Sequence, residues 1–127
     1  MKDFEQMKNE RLNYIFTILK NNGCDNISIN YSGGGDDGQM ELGDYVPNNN
    51  KIRICLDEPT IFNSMYHESE ELDFFNLLEE ISEYFLNVLG VDWVNGMGSS
   101  GQVFFDVEKR NVTVGYQVME EKEAVFA

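Results

Sequence analysis

The chain has 127 residues, enough for one domain with a sizeable single core, and its 42% hydrophobic and 13% aromatic content excludes an intrinsically disordered protein. Asp plus Glu number 23 against 9 Lys plus Arg, a formal net charge of -14. A field of that sign repels nucleic-acid phosphates and anionic membranes and attracts basic protein surfaces or cations, which argues against direct nucleic-acid binding.

The N-terminal MKDFEQMKNE carries no apolar secretory core, and no apolar run approaches the ~20 residues that span a bilayer. The expectation is a cytoplasmic protein with no membrane contact. Residues 3–20 are expected to form a helix. Phe4, Met7, Leu12, Ile15, Ile18 and Leu19 recur mostly at three- and four-residue steps, leaving Glu5, Lys8 and Arg11 outward. Asn21-Asn22-Gly23 stops it, because Asn and Gly tolerate the left-handed conformation of a helix C-cap.

From Cys24 the period changes to two. Ile27, Ile29 and Tyr31 point one way while Asn26, Ser28 and Asn30 point the other, the pattern of a sheet with one wet face. After a Gly/Asp turn, Gln39 to Asp44 reads as a second strand, and Lys51 to Leu56 as a third with Ile52, Ile54 and Leu56 inward. Pro59 ends that strand, since proline cannot donate to a ladder. A loop with Met65, Tyr66 and His67 leads to a helix capped near Ser69 and running to about Leu89. Leu72, Phe75, Leu78, Ile81, Phe85 and Val88 are its apolar stripe, and Gly90 stops it. Val103, Phe105 and Val107 alternate, Glu108 to Asn111 turns, and Val112, Val114, Tyr116 and Val118 return; the tail EEKEAVFA extends the last strand or hangs loose. The whole is one α+β domain over residues 1–127 in two layers. Both helices lie on one face of an antiparallel sheet of about five strands, in the order helix, three strands, helix, two strands.

Cys24 and Cys55 have no metal-ligand spacing; buried reduced thiols are expected, with a bridge left open by sequence. Two loops are rich in glycine: Gly33-Gly34-Gly35-Asp36-Asp37-Gly38, and the segment with Trp93, Asn95, Gly96, Gly98 and Gly101. Both abut strands and could meet at one end of the sheet. This pair of motifs resembles a family of small acidic proteins of unknown function found in phages, plasmids and integrated elements. The matching residues are Gly33, Gly35, Asp36 and Gly38 in a Gly-x-Gly-Asp-x-Gly turn, then Trp93, Asn95, Gly98, Gly101 and Asp106 in and after a Trp-x-Asn-x-x-Gly-x-x-Gly loop. The resemblance implies a mobile-element setting and no chemistry.

Asp36 and Asp37 read first as the polar tip of a turn. A second reading makes them ligands for calcium or magnesium, because hard cations want clustered carboxylates, although the spacing is not that of an EF-hand loop. Trp93 reads as a half-buried core aromatic before it reads as a ligand platform with Asn95. His67, the one histidine, has no visible partner, and no serine or cysteine lies in a nucleophile pattern, so a binding protein rather than an enzyme is expected and no cofactor is required.

The second helix carries the sharper signal. Between Thr60 and Gly90 there are seven acidic residues and no Lys or Arg. Glu70, Glu71 and Asp73 would favour the dipole of a first turn, but Glu79, Glu80 and Glu83 lack that excuse, and like charges three or four apart oppose a helix. They read as a solvated face or as an acidic surface that engages a basic protein partner as a nucleic-acid mimic does. The expected function is that of a binding protein of a mobile element contacting a basic surface of a host factor. Asp36, Asp37, Trp93 and Asn95 supply an alternative ligand site in the glycine loops. A homodimer is compatible with the pattern.

Overall fold

The computed structural model describes residues 3–35, 37–46, 59–65, 71–91, 98–117 and 121–126. Helix α1 spans Phe4–Asn21, and the Asp3 carboxylate caps it by accepting the Gln6 amide at 2.7 Å. It closes in a Schellman motif: the Gly23 amide donates to the Lys20 carbonyl and the Cys24 amide to that of Leu19. Its buried face is Arg11, Leu12, Ile15, Phe16 and Leu19. Two expectations for this helix are corrected. Phe4, its first residue, is half-exposed, and Arg11 points inward.

Strands β1 (Asn26–Gly34) and β2 (Asp37–Val46) follow as an antiparallel pair. Short strands β3 (Pro59–Asn63) and β4 (Glu71–Asp73) pair with each other in a separate two-stranded sheet. Helix α2 spans Phe74–Val88 and starts later than the sequence suggests. Its cap is Asp73, whose carboxylate accepts the Asn76 amide at 2.7 Å, because Glu71 to Asp73 are held extended by β3. Its first turn therefore holds no acid. A second Schellman closure at Gly90 and Val91 ends it. Val88, assigned to the apolar stripe by spacing, is exposed at the last helical position.

Strands β5 (Ser99–Asp106), β6 (Asn111–Gln117) and β7 (Glu121–Phe126) complete a five-stranded sheet in the order β2-β1-β5-β6-β7, every pair antiparallel. The ambiguous tail is thus an edge strand. In the β5–β6 turn, Asp106 accepts the Lys109 amide, and Arg110 adopts a left-handed φ of 53°. The Arg110 guanidinium lies 5.4 Å from the Phe16 ring centroid and donates to Asn13 Oδ1 at 2.7 Å, which ties the turn to α1. The expected third strand, Lys51 to Leu56, and Val118 lie outside the described residues.

The register writes the core in rows. Tyr45, Ile27, Phe105, Val112 and Phe126 stand side by side across the five strands, and Leu42, Ile29, Val103, Val114 and Ala124 form the next row. Both helices cover this face. Phe16 of α1 meets Phe105 edge-on at 6.4 Å, and Phe85 of α2 stacks on Phe126 at 4.5 Å. Two layers, helices over a sheet, follow from one apolar face on each element. The opposite face of the sheet carries Asn30, Ser32, Gln39, Glu41, Ser100, Gln102 and Glu123, all exposed.

Candidate functional site

Two surfaces carry the residues that sequence singles out, the acids of α2 and the meeting of the glycine loops; the open face of the sheet is a third surface that the fold adds. On α2 the three glutamates separate. Glu80 is buried at 7% exposure and forms an ion pair with Arg11, also buried, at 3.5 Å between Nε and Oε1. Its oxygens further accept the Ser64 hydroxyl at 2.7 Å and the Met65 amide at 3.0 Å. Arg11 donates onward to the Asn63 carbonyl at 2.6 Å and to that of Met7 at 3.2 Å, with its guanidinium 5.0 Å from the Phe62 ring centroid. One buried ion pair thus pins α1, α2 and the segment after β3 together. Glu80 does not lie off the apolar stripe and does not belong to a contact surface, which corrects the sequence reading of it.

The spacing puts each member on the buried side of its own helix but does not pair them. Arg11 stands four residues before Ile15 and eight before Leu19, on the helix's buried side, and Glu80 stands three after Leu77. Glu79 is half-buried, and burial first, then the charges of Asp73 and Glu83, hold its carboxyl above the usual glutamate range. Glu83 is exposed.

The glycine loops meet. Gly33 pairs with Ser99 across β1 and β5, and Gly98 packs on the backbone of Gly33 and Gly34. Gly98 has a φ of 70°, and a methyl group built on it would overlap the Gly33 carbonyl. Two residues along the chain from Ser99, a side chain on Gly101 would overlap the Gly115 carbonyl and crowd the Tyr31 hydroxyl at 3.0 Å. That hydroxyl is buried, lies 3.3 Å from Ser99 Oγ, and is pushed up in pKa by burial. Gly98 and Gly101 are therefore explained by backbone packing, and Gly35, around which a side chain would have open space, by its left-handed φ of 62°. Asp37 begins β2 opposite Gly34. Asp36, Trp93, Asn95 and His67 lie outside the described residues, and among the described residues no group of three or more His, Cys, Asp or Glu could hold a metal ion.

The open sheet face was visible in sequence only as a wet alternation. Across it run Glu41, Asn30, Gln102, Gly115 and Glu123, one residue from each strand. The next row toward the β5–β6 turn holds Ser28, Phe104, Thr113 and Val125, with Asp44 at the bulge of β2 beside Ser28. Glu41, Asp44 and Glu123 are exposed, Val125 is 59% exposed, and no Lys or Arg stands on this face among the side chains described. A groove of about 290 Å³ opens over Gly115.

A second cavity, about 260 Å³, lies between the end of α1 and the β5–β6 turn, lined by Lys20, Cys24, Asp25, Glu108 and Arg110 among others. Its charges are mixed. Cys24 is a free buried thiol that donates to the Asn26 carbonyl at 3.2 Å and is pushed up to about 11 by burial, so it is no nucleophile. Cys55 lies outside the described residues. Among the described residues no helix is long and apolar enough to cross a membrane.

No curated protein and no solved structure matches the chain significantly. A family model described as a family of unknown function, DUF6878, matches residues 7–126. With nearly its whole length inside that match, helices and five-stranded sheet included, the chain belongs to this family.

Proposed function

We propose that the protein is a small acidic binding protein that works by stoichiometric contact with a basic surface of another protein. The observation that carries the reading is the uncovered face of the sheet. Exposed Glu41, Asp44 and Glu123 stand there with no cation among the described side chains, on a chain of net charge -14. The helices satisfy the apolar face; nothing among the described residues requires the other face to be acidic. Such a surface attracts a basic partner over distance and makes association fast and salt-sensitive. The mobile-element setting implied by the glycine motifs favours a host factor that handles nucleic acid, including one with a defence role, because such proteins present basic surfaces that an acidic face can occupy.

The test is affinity capture on the immobilised chain, elution along a salt gradient and identification of the retained protein. The reference is the triple variant Glu41→Lys, Asp44→Lys and Glu123→Lys. These exposed changes leave the fold intact and are expected to weaken capture by about tenfold or more at low salt. The wild-type complex dissolves as the screening length falls from ~10 Å toward ~3 Å. A folded triple variant that holds the same partner to the same salt midpoint overturns the assignment of this face.

A further inference from the structure

Gly115 stands in the middle of β6, between buried Val114 and half-buried Tyr116. A glycine inside a strand weakens it, by lost side-chain packing and by the entropy of its backbone. Two structural reasons commonly account for one. The first is a left-handed φ, and Gly115 is not among the glycines that have it. The second is a neighbour too close for a side chain. A Cβ built on Gly115 meets only the Gln102 carbonyl oxygen, at 3.9 Å, an ordinary contact. Gly101 across the strand is the contrasting case, with no room at all. The bare position does line the groove of about 290 Å³.

The chemistry of that groove selects its occupant. Phe104 and Thr113 line it with apolar and methyl surface, and Ser100 and Gln102 add polar atoms. Glu123 pairs directly with Gly115 and stands at its side. The Gln102 side-chain amide donates to Asn30 Oδ1 at 3.3 Å, which orients its NH₂ group along the row. An aromatic ring, a carboxylate and amide oxygens around one slot fit a long side chain with an apolar stem and a cationic head. A guanidinium suits it better than an ammonium, being planar, weakly hydrated and able to stack on an aromatic face while pairing with a carboxylate.

We infer that the Gly115 groove receives an arginine side chain of the basic partner, its stem against Phe104 and its guanidinium against Glu123. The inference rests on the function proposed above and names the point on the open face where specificity resides.

The test is an NMR titration of the uniformly ¹⁵N-labelled full chain with a blocked peptide of alternating arginine and glycine. The same peptide with citrulline for arginine is the neutral control, and one with lysine separates guanidinium from general charge. Saturable shifts centred on the amides of Gln102, Phe104, Gly115 and Glu123 are expected with the arginine peptide. Lysine is expected to bind more weakly and citrulline not at all. Gly115→Val fills the groove, suits a strand, and is expected to weaken the arginine peptide by about tenfold or more. Glu123→Gln, at an exposed position, gives an independent reading if the valine variant does not fold, and is expected to remove the arginine preference. Arginine-peptide binding that maps to Glu79 and Glu83 of α2, or that survives both substitutions, overturns the inference while leaving a basic partner intact. Absence of any saturable binding of either cationic peptide overturns both.

Discussion

Glu80→Ala is the substitution that tests the fold most sharply, because it removes one member of a buried pair and leaves the other in place. Arg11 is 5% exposed, and its Nε has no hydrogen-bond partner beyond the 3.5 Å approach of Glu80. Without that carboxylate the guanidinium remains desolvated, the Ser64 hydroxyl loses its acceptor in Glu80, and the buried Met65 amide loses its own. Breaking a buried pair by deleting one partner costs ~3–5 kcal/mol, and an unsatisfied buried donor costs ~1–3 kcal/mol. Partial relaxation of Ser64 toward solvent offsets part of the second contribution, so a total of about 4 kcal/mol is expected. In a urea titration with a slope of ~1–3 kcal/mol per molar, the midpoint falls by roughly 1.3–4 M. Glu83→Ala, at an exposed position of the same helix, is the control and should stay within about 0.5 kcal/mol. Arg11→Met combined with Glu80→Leu should recover most of the loss, since apolar replacement of a buried pair is often near neutral. A loss below about 1 kcal/mol for Glu80→Ala refutes the buried clamp. A double variant as unstable as the single one assigns the loss to the bonds of the 63–65 segment instead of to the stranded charge.

Gly98→Ala forces a methyl group onto the Gly33 backbone at a left-handed φ of 70°, so a thermal melt should show a loss on the order of several kcal/mol, whereas Gly115→Ala in the same melt should be neutral or stabilising. Glu79 gives a pH signature. Its folded carboxyl titrates above the unfolded value, through burial and the charges of Asp73 and Glu83, so the folded state holds the proton more tightly. Its ionisation therefore opposes folding, and the penalty grows as pH rises from the ordinary glutamate range through the raised folded value. Glu79→Gln should raise stability at neutral pH and make no difference under acid conditions where both states are protonated; a pH-independent effect in denaturant titrations would refute this.

The glycine loops show how a motif can be real and still mislead about chemistry. Clustered glycine beside aspartate and tryptophan invites a ligand site. At the described end of the sheet, the same glycines let two backbones approach where Gly33 meets Gly98 and let the Tyr31 hydroxyl lie over Gly101. Gly115 is required neither by packing nor by a left-handed φ; it belongs to neither loop and carries no sequence signal, because a single glycine in an alternating strand looks like ordinary variation.

Local periodicity by itself determined the elements whose one face is apolar. Ile27, Ile29 and Tyr31, then Val103 and Phe105, then Val112 and Val114 alternate because one side of a strand is buried and the other is wet, and all of them are buried together. The stops at Gly23 and Gly90 were legible for a local reason too, since a left-handed C-cap is a property of one residue. Tertiary structure decided what depends on partners distant in the chain. That Arg11 and Glu80 go inside follows from their meeting each other and the 63–65 backbone, a pairing that no window of sequence contains. The late start of α2 follows from β3 holding Glu71 to Asp73 extended, and the edge strand β7 from β6 offering a ladder to a tail without strong alternation. The open acidic face exists because both helices dock on the other side of the sheet, and the groove over Gly115 because Phe104, Thr113 and Glu123 come from three different strands. Composition announced the charge; only the fold decided which carboxylates lie inside and which stand on the open face.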